Sequence, residues 1–183
     1  MKRIRLHGAL LCLVATAAIA QTDTVERRFA LPDHGNFVIT VPRDWKDELR
    51  QPPNRYPPTI VFGPGSGNPF HVLITPIWPP TKDHALPTRD QVRAAIERGA
   101  QEAGSQAVEK QLRVVELQGR SGAGFYFSAT DRAPKPGEYK LLTQGSILVG
   151  KLVVNFTILT NDGQEAVVKQ ALDALKDARQ DGV

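Results

Sequence analysis

Short apolar stretches separated by turns rich in proline and glycine most limit how this chain can fold. Fourteen prolines and 15 glycines occur among its 183 residues. Phe37, Ile39 and Val41 recur at every second position before Pro42, the spacing of a strand with one buried face. Strands that are joined by short turns pair antiparallel, because a parallel pair needs a crossover of a dozen residues or more. The pattern therefore predicts an antiparallel sheet.

The remaining segments extend this prediction along the chain. Strands at 59–62 and 70–75 flank a glycine-rich turn at 63–69 and predict a β-hairpin. Further strands are predicted at 28–31, 112–117, 125–130, 139–149 (bent at Gly145) and 152–160. We expect residues 21–26 to be a loose polar lead-in and 45–50 to be a short charged segment. The polar tail from Lys176 onward is expected to fray.

Two segments have helical spacing. In the first, Thr88 and Gln91 form a capping-box pattern, followed by apolar residues on one face and by Gly104 as the predicted C-cap. The second follows Asp162 and Glu165, which resemble another capping box. Helices with one apolar stripe need a sheet to cover. We therefore predict a single α+β domain over residues 21–183, with one antiparallel sheet flanked by helices in an α/β/α sandwich.

The first twenty residues have the parts of a secretory signal peptide. A basic start is followed by an apolar run at 9–19 and by the small-residue triplet Ala18-Ile19-Ala20. The run is shorter than the ~20 apolar residues that span a bilayer, so no stable membrane insertion is expected. Cleavage near Ala20 predicts a periplasmic or secreted protein. The bulky Leu11 before Cys12 argues against a lipid attachment site.

Cleavage changes what the charge and cysteine content imply. Removing Lys2, Arg3 and Arg5 lowers the 23 basic residues to 20 against 19 acidic ones, so the net charge falls from +4 to +1. That balance gives no reason to expect a nucleic-acid partner. The only cysteine, Cys12, also leaves, which excludes disulfides and thiol chemistry. About 163 residues remain, enough for a stable core without disulfides.

The stretch from Asn36 to Trp45 (NFVITVPRDW) resembles the opening of the PsbP-like superfamily. That superfamily includes the photosystem extrinsic protein P and bacterial periplasmic proteins of the DcrB type. In its pattern an apolar strand ends at a proline and a tryptophan follows, as Phe37, Ile39, Val41, Pro42 and Trp45 do here. The resemblance implies a fold and a non-catalytic binding or assembly role, and it carries over no catalytic residue or cofactor.

The candidate catalytic and metal-binding residues do not have the spacing that the known motifs require. Ser66 and Ser121 lack the flanking glycines of a nucleophile elbow, and neither glycine cluster matches a phosphate-binding loop. The acids at 44, 47 and 48 alternate with basic residues and are interpreted as a solvated face. His34, His71 and His84 are chemically able to bind zinc or copper, but no ligand spacing joins them. We therefore predict neither an enzyme, a metal site nor a cofactor.

Tyr56 and Trp78 are the predicted partner-binding residues. Each stands beside two prolines, one at each base of the predicted hairpin. An aromatic ring on a rigid loop loses little entropy on binding, and Tyr and Trp are enriched in binding hot spots. The alternative interpretation of both rings is that they cap the core.

The leading function hypothesis is an exported binding or assembly accessory protein with an envelope protein partner. The alternatives are a small-molecule or metal-binding protein with a pocket near His34, His71 or His84, and a hydrolase with an unrecognised site. The sequence identifies neither the partner nor the oligomeric state.

Overall fold

The computed structural model describes residues 23–53, 56–79, 81 and 85–182. Within this part of the chain the structure contains ten strands and two helices. The helices are α1 (Arg89–Gly104) and α2 (Glu165–Asp177). The strands are β1 (Thr24–Ala30), β2 (Asn36–Pro42), β3 (Trp45–Arg50), β4 (Thr59–Pro64), β5 (His71–Ile77), β6 (Val115–Gln118), β7 (Ala123–Thr130), β8 (Leu141–Val149), β9 (Leu152–Thr160) and β10 (Arg179–Asp181).

The strands form two antiparallel sheets rather than the single sheet that the sequence predicted. The large sheet has the order β3-β4-β5-β9-β8-β7-β6, and the small sheet has the order β1-β2-β10. The prediction of one sheet was wrong because the β1–β2 hairpin pairs with β10 and not with an edge of the large sheet. The small sheet packs on one face of the large one, where Phe29 meets Phe62 edge-on with ring centroids 6.0 Å apart.

The main core lies between the two sheets and α2. Phe37, Ile39 and Val41 of β2 are buried in it, as their alternation predicted. Val38, on the opposite side of β2, is also buried, and α2 and β10 both contact this strand. Gly145 is required in β8, because a β-carbon there would overlap the ring of Phe156 and the backbone of β7.

The first helix covers the opposite face of the large sheet. Its capping box is confirmed: the Gln91 backbone N–H donates to the Thr88 hydroxyl, and the Thr88 N–H donates to the Gln91 side chain. The buried face of α1 packs on Phe125 and Phe127 of β7. The helix ends one residue later than predicted, with Gly104 as its last residue and Ser105 as the C-cap. The two helices lie on opposite faces of the large sheet, but the small sheet shares the face of α2, so the predicted α/β/α sandwich is matched only in part.

The second helix begins without the predicted capping box. Its N-cap is Gln164, which makes no side-chain cap hydrogen bond. The Gln164 amide instead donates to the carbonyls of Asn68 and Pro69, at 3.3 and 3.2 Å, and so ties the start of α2 to the β4–β5 turn. The Gln164 side-chain oxygen also accepts from the Asn161 N–H at 2.7 Å, so Gln164 makes both the local and the long-range contact in place of the predicted pair Asp162 and Glu165. Among the residues that the structure describes, neither helix has the length and hydropathy needed to cross a bilayer.

Three further segments differ from their predictions. Residues 24–26 belong to β1 and are not a loose lead-in, because they pair with β2 from Thr40 to Pro42. The charged segment at 45–50 is the edge strand β3. The tail does not fray at residues 179–181, which form β10 against β2. In each case backbone pairing with a distant segment supplies the order that local sequence lacks.

Candidate functional site

Tyr56 and Trp78 lie at the same end of the large sheet, where β4 begins and β5 ends. Thr59 and Thr75 face each other across this hairpin, with their hydroxyl oxygens 2.9 Å apart. Tyr56 precedes Thr59 by three residues, and Trp78 follows Thr75 by three. Both residues belong to the described part of the chain, and their rings do not contact each other there. The structure therefore brings them to one end of the sheet without joining them.

Tyr56 is the most exposed large apolar side chain among the described residues, with 63% of its surface accessible. Its loop is anchored on both sides: Pro58 is buried, and the Gln51 side-chain amide donates to the Tyr56 carbonyl at 3.3 Å. Leu49, near the end of β3, is 45% exposed at the same end of the sheet. The sequence reasoning missed Leu49 because its neighbours are charged. The available signal was that Leu49 lies on the same face of the strand as Trp45 and Asp47, at every second position.

Trp78 is partly buried and packs against the main core. Its ring stacks on the imidazole of His34, with centroids 4.6 Å apart and planes inclined by 22°. His34 lies in the β1–β2 turn, 44 positions away in sequence. Trp78 therefore joins the small sheet to the large one. Less of its side chain is exposed to solvent than that of Tyr56.

The His34 ring is held in one orientation by its neighbours. Nδ1 lies 2.7 Å from the Pro32 carbonyl oxygen. A carbonyl only accepts, so Nδ1 carries the proton and Nε2 is the nitrogen left for another ligand. The His34 carbonyl accepts from the Gln180 amide at 2.8 Å, and the Gln180 side-chain oxygen accepts from the Lys151 N–H at 2.8 Å. One glutamine thus connects the β1–β2 turn, the β8–β9 turn and β10.

The other candidate histidines are not part of this arrangement. His71 begins β5, so it lies about 20 Å from the Trp78 end of the strand at ~3.3 Å per residue. Its ring meets Tyr139 edge-on at 5.4 Å, and burial raises the pKa of the Tyr139 phenol. His84 lies outside the described residues. Within the described part of the chain, no three His, Cys, Asp or Glu side chains group closely enough to hold a metal ion.

The two candidate serines lie in exposed turns at opposite ends of the large sheet. Ser66 is in the β4–β5 turn and Ser121 is in the β6–β7 turn. The acidic candidates on β3 form ion pairs. Glu48 binds Arg50 at 3.1 Å, and the hydrogen bond from Arg50 lowers the pKa of the Glu48 carboxyl. Asp47 lies 3.3 Å from Arg27 of β1 and links the two sheets at their edge.

Comparison with known proteins gives a fold and no sequence family. No family model matches this chain, and no curated protein matches its sequence. The structure is similar to the solution structure of cyanobacterial PsbP (CyanoP) from Synechocystis sp. PCC 6803, with a TM-score of 0.51 and 10% identity over 92% of this chain and 98% of that one. It also matches the crystal structure of LpqN, involved in cell envelope biogenesis of Mycobacterium tuberculosis, with a TM-score of 0.49 and 11% identity over 85% and 90% of the two chains.

The fold is therefore PsbP-like, in agreement with the resemblance of residues 36–45. The likeness to proteins of the DcrB type stays a prediction. Fold alone does not assign an activity, so function must be argued from the surface of this chain. That surface presents Tyr56 and Leu49 at one end of the large sheet, the end at which the His34–Trp78 stack also lies.

Proposed function

We propose that this chain is an exported, non-catalytic accessory protein that binds an envelope protein partner through the loop carrying Tyr56. The observation that carries the proposal is the 63% exposure of the Tyr56 side chain on an anchored, proline-framed loop. A tyrosine held in this way contributes a large contact area at little cost in conformational entropy. Leu49, at the same end of the sheet, adds apolar surface to the contact.

Trp78 takes a supporting role in this proposal. Its ring packs between the core and His34, so it fixes the neighbouring turn and offers the partner only its exposed part. Export is supported by the signal-like segment at 1–20. A binding role rather than catalysis is supported by the sequence, in which the candidate serines and histidines lack the residue spacing of hydrolase and metal-enzyme motifs. A periplasmic location remains part of the proposal.

Site-specific crosslinking in a bacterial periplasm tests this function. A photo-crosslinking amino acid replaces Tyr56 in the exported chain, and the adduct is identified by mass spectrometry. The matched control carries the same group in place of Val108, which is 58% exposed near the opposite end of the sheet. Both variants are first checked for an unchanged melting temperature.

The proposal predicts one saturable adduct at position 56 that unlabelled wild-type chain competes away, and no such adduct at position 108. The Tyr56→Ala variant should lose most of its affinity for the partner that is then identified and purified. A folded chain without an adduct at position 56, or with the same adducts at both positions, would contradict the proposal.

A further inference from the structure

The path of α2 leaves one corner of the core face of the large sheet uncovered. The helix starts beside the β4–β5 turn, where Gln164 is bonded to Asn68. It ends beside the β6–β7 turn, where the Arg120 N–H donates to the Lys176 carbonyl at 2.7 Å. Between the helix and strands β7 and β8 lies a cavity of about 560 Å³, the α2 groove. Sites for small ligands commonly have volumes of ~300–1,000 Å³.

The floor of the α2 groove carries five hydroxyl side chains. Ser128 and Thr143 lie opposite each other, with their oxygens 2.8 Å apart. Ser128 is exposed although it faces the core side of the sheet. The other hydroxyls come from Tyr126, Thr130 and Thr160. Because a hydroxyl both donates and accepts, such a floor suits the N–H and C=O groups of amides.

The acidic end of the groove lies where β7 ends and α2 begins. Both Glu109 oxygens accept hydrogen bonds from Thr130, one from the backbone N–H at 3.0 Å and one from the hydroxyl at 2.7 Å. Burial by itself would raise the pKa of Glu109, but these bonds lower it, so the carboxylate is charged at neutral pH. Glu165, in the first turn of α2, adds a second carboxylate.

The basic end lies toward the end of α2. Lys169 and Lys176 share the single carboxylate of Asp173, at 2.6 and 2.8 Å. Two ammonium groups on one carboxylate leave a net positive charge at this end of the groove. Val168 and Leu172 give the wall between the two ends an apolar surface. The charge therefore changes sign along the length of the groove.

We propose that the α2 groove binds a short peptide of two or three residues with free ends. Its ammonium group lies at Glu109 and Glu165, and its carboxylate lies at the lysines that share Asp173. The floor from Tyr126 to Thr130 spans about 13 Å, and an extended tripeptide spans about 10 Å. The groove lies over β7 and β8, whereas Tyr56 precedes β4, three strands away from β8 in the large sheet, so this site is separate from the proposed partner-binding surface.

Calorimetric titration with chemically matched peptides tests both ends of the ligand. The probes are Ala-Leu-Ala, its N-acetylated form and its C-amidated form, titrated into the wild-type mature chain. Each block removes one charge, and a lost charge-assisted hydrogen bond corresponds to about a tenfold loss of affinity or more. The proposal predicts saturable binding of the free peptide and at least this loss for each blocked form. The protein is unchanged throughout, so no result depends on a variant that fails to fold.

A substitution then locates the binding. Ser128→Phe fills the floor of the groove, and Ser66→Phe adds the same ring to an exposed turn elsewhere. We expect Ser128→Phe to lower the affinity at least tenfold and Ser66→Phe to leave it unchanged. No binding at millimolar peptide, equal binding of free and blocked peptides, or equal binding by the two variants would each overturn the proposal. None of these results would bear on crosslinking at Tyr56.

Discussion

Gln180→Ala should destabilise the fold by about 2 kcal/mol, although residue 180 lies in the three-residue strand β10. The Gln180 side chain donates to the half-buried His34 carbonyl and accepts from the Lys151 N–H, both at 2.8 Å. A hydrogen bond of this kind contributes ~0.5–1.5 kcal/mol net. We assign about 1.5 kcal/mol to the bond at His34, since water replaces it poorly there. Lys151 is exposed and water can replace its partner, so we assign that bond about 0.5 kcal/mol.

Equilibrium urea unfolding of residues 21–183 measures this loss, with the m value used to check that the unfolding transition is unchanged. Gln101→Ala, on the exposed face of α1, is the control and should change stability by less than about 0.5 kcal/mol. Gln180→Glu keeps an acceptor for Lys151 but removes the donor to His34. It should therefore show most of the loss.

The same variant should also disturb the turn that Gln180 holds. We expect the NMR signals of His34 and of the Trp78 indole to shift in Gln180→Ala, since the two rings are stacked. A loss of unfolding free energy below about 0.5 kcal/mol, with the His34 and Trp78 signals unchanged, would contradict this prediction. It would mean that the surrounding strands hold the turn in place without the Gln180 side chain.

Three further predictions concern the helices and the core. Thr88→Ala should cost about 1 kcal/mol in urea unfolding, because it removes the capping box of α1. Phe127→Ala should cost about 3–5 kcal/mol in the same assay, because this ring is fully buried against α1. Hydrogen bonds from Lys169 and Lys176 lower the pKa of Asp173 below 3.8, so its contribution to stability is present above that pH and is lost as the pH falls through the lower folded-state value. Thermal melts between pH 6 and pH 2 should therefore fall less steeply for Asp173→Asn than for the wild type.

Local sequence patterns predicted the elements whose stability is itself local. The alternation of Phe37, Ile39 and Val41 identified β2, and Thr88 with Gln91 identified the start of α1. Each of these sequence signals lies within a few residues of the strand or helix end that it determines. The β4–β5 hairpin was predictable for the same reason, since its glycine-rich turn joins its own two strands.

Elements that depend on distant partners were missed or misread. β3 has one buried side chain, Trp45, and charged neighbours, as is usual for a strand at the edge of a sheet. β10 has no apolar alternation and exists because β2 offers it a free edge. At the candidate site, the exposure of Tyr56 agrees with its predicted role, which remains untested. The stacking of Trp78 on His34 depends on how two sheets meet, which no local pattern encodes.

The pairing of β10 with β2 also determines the order in which parts of the small sheet can form. Val38 and Arg179 face each other although 141 positions separate them in the chain. A chain that is synthesised from its N-terminus presents the free edge of β2 long before β10 is available to cover it. Contacts between such distant positions form slowly, because a long loop must close before they can stabilise the fold. Until then β2 is an open edge to which another unfinished chain can pair. The pairing of β10 therefore closes this edge of β2 to self-association.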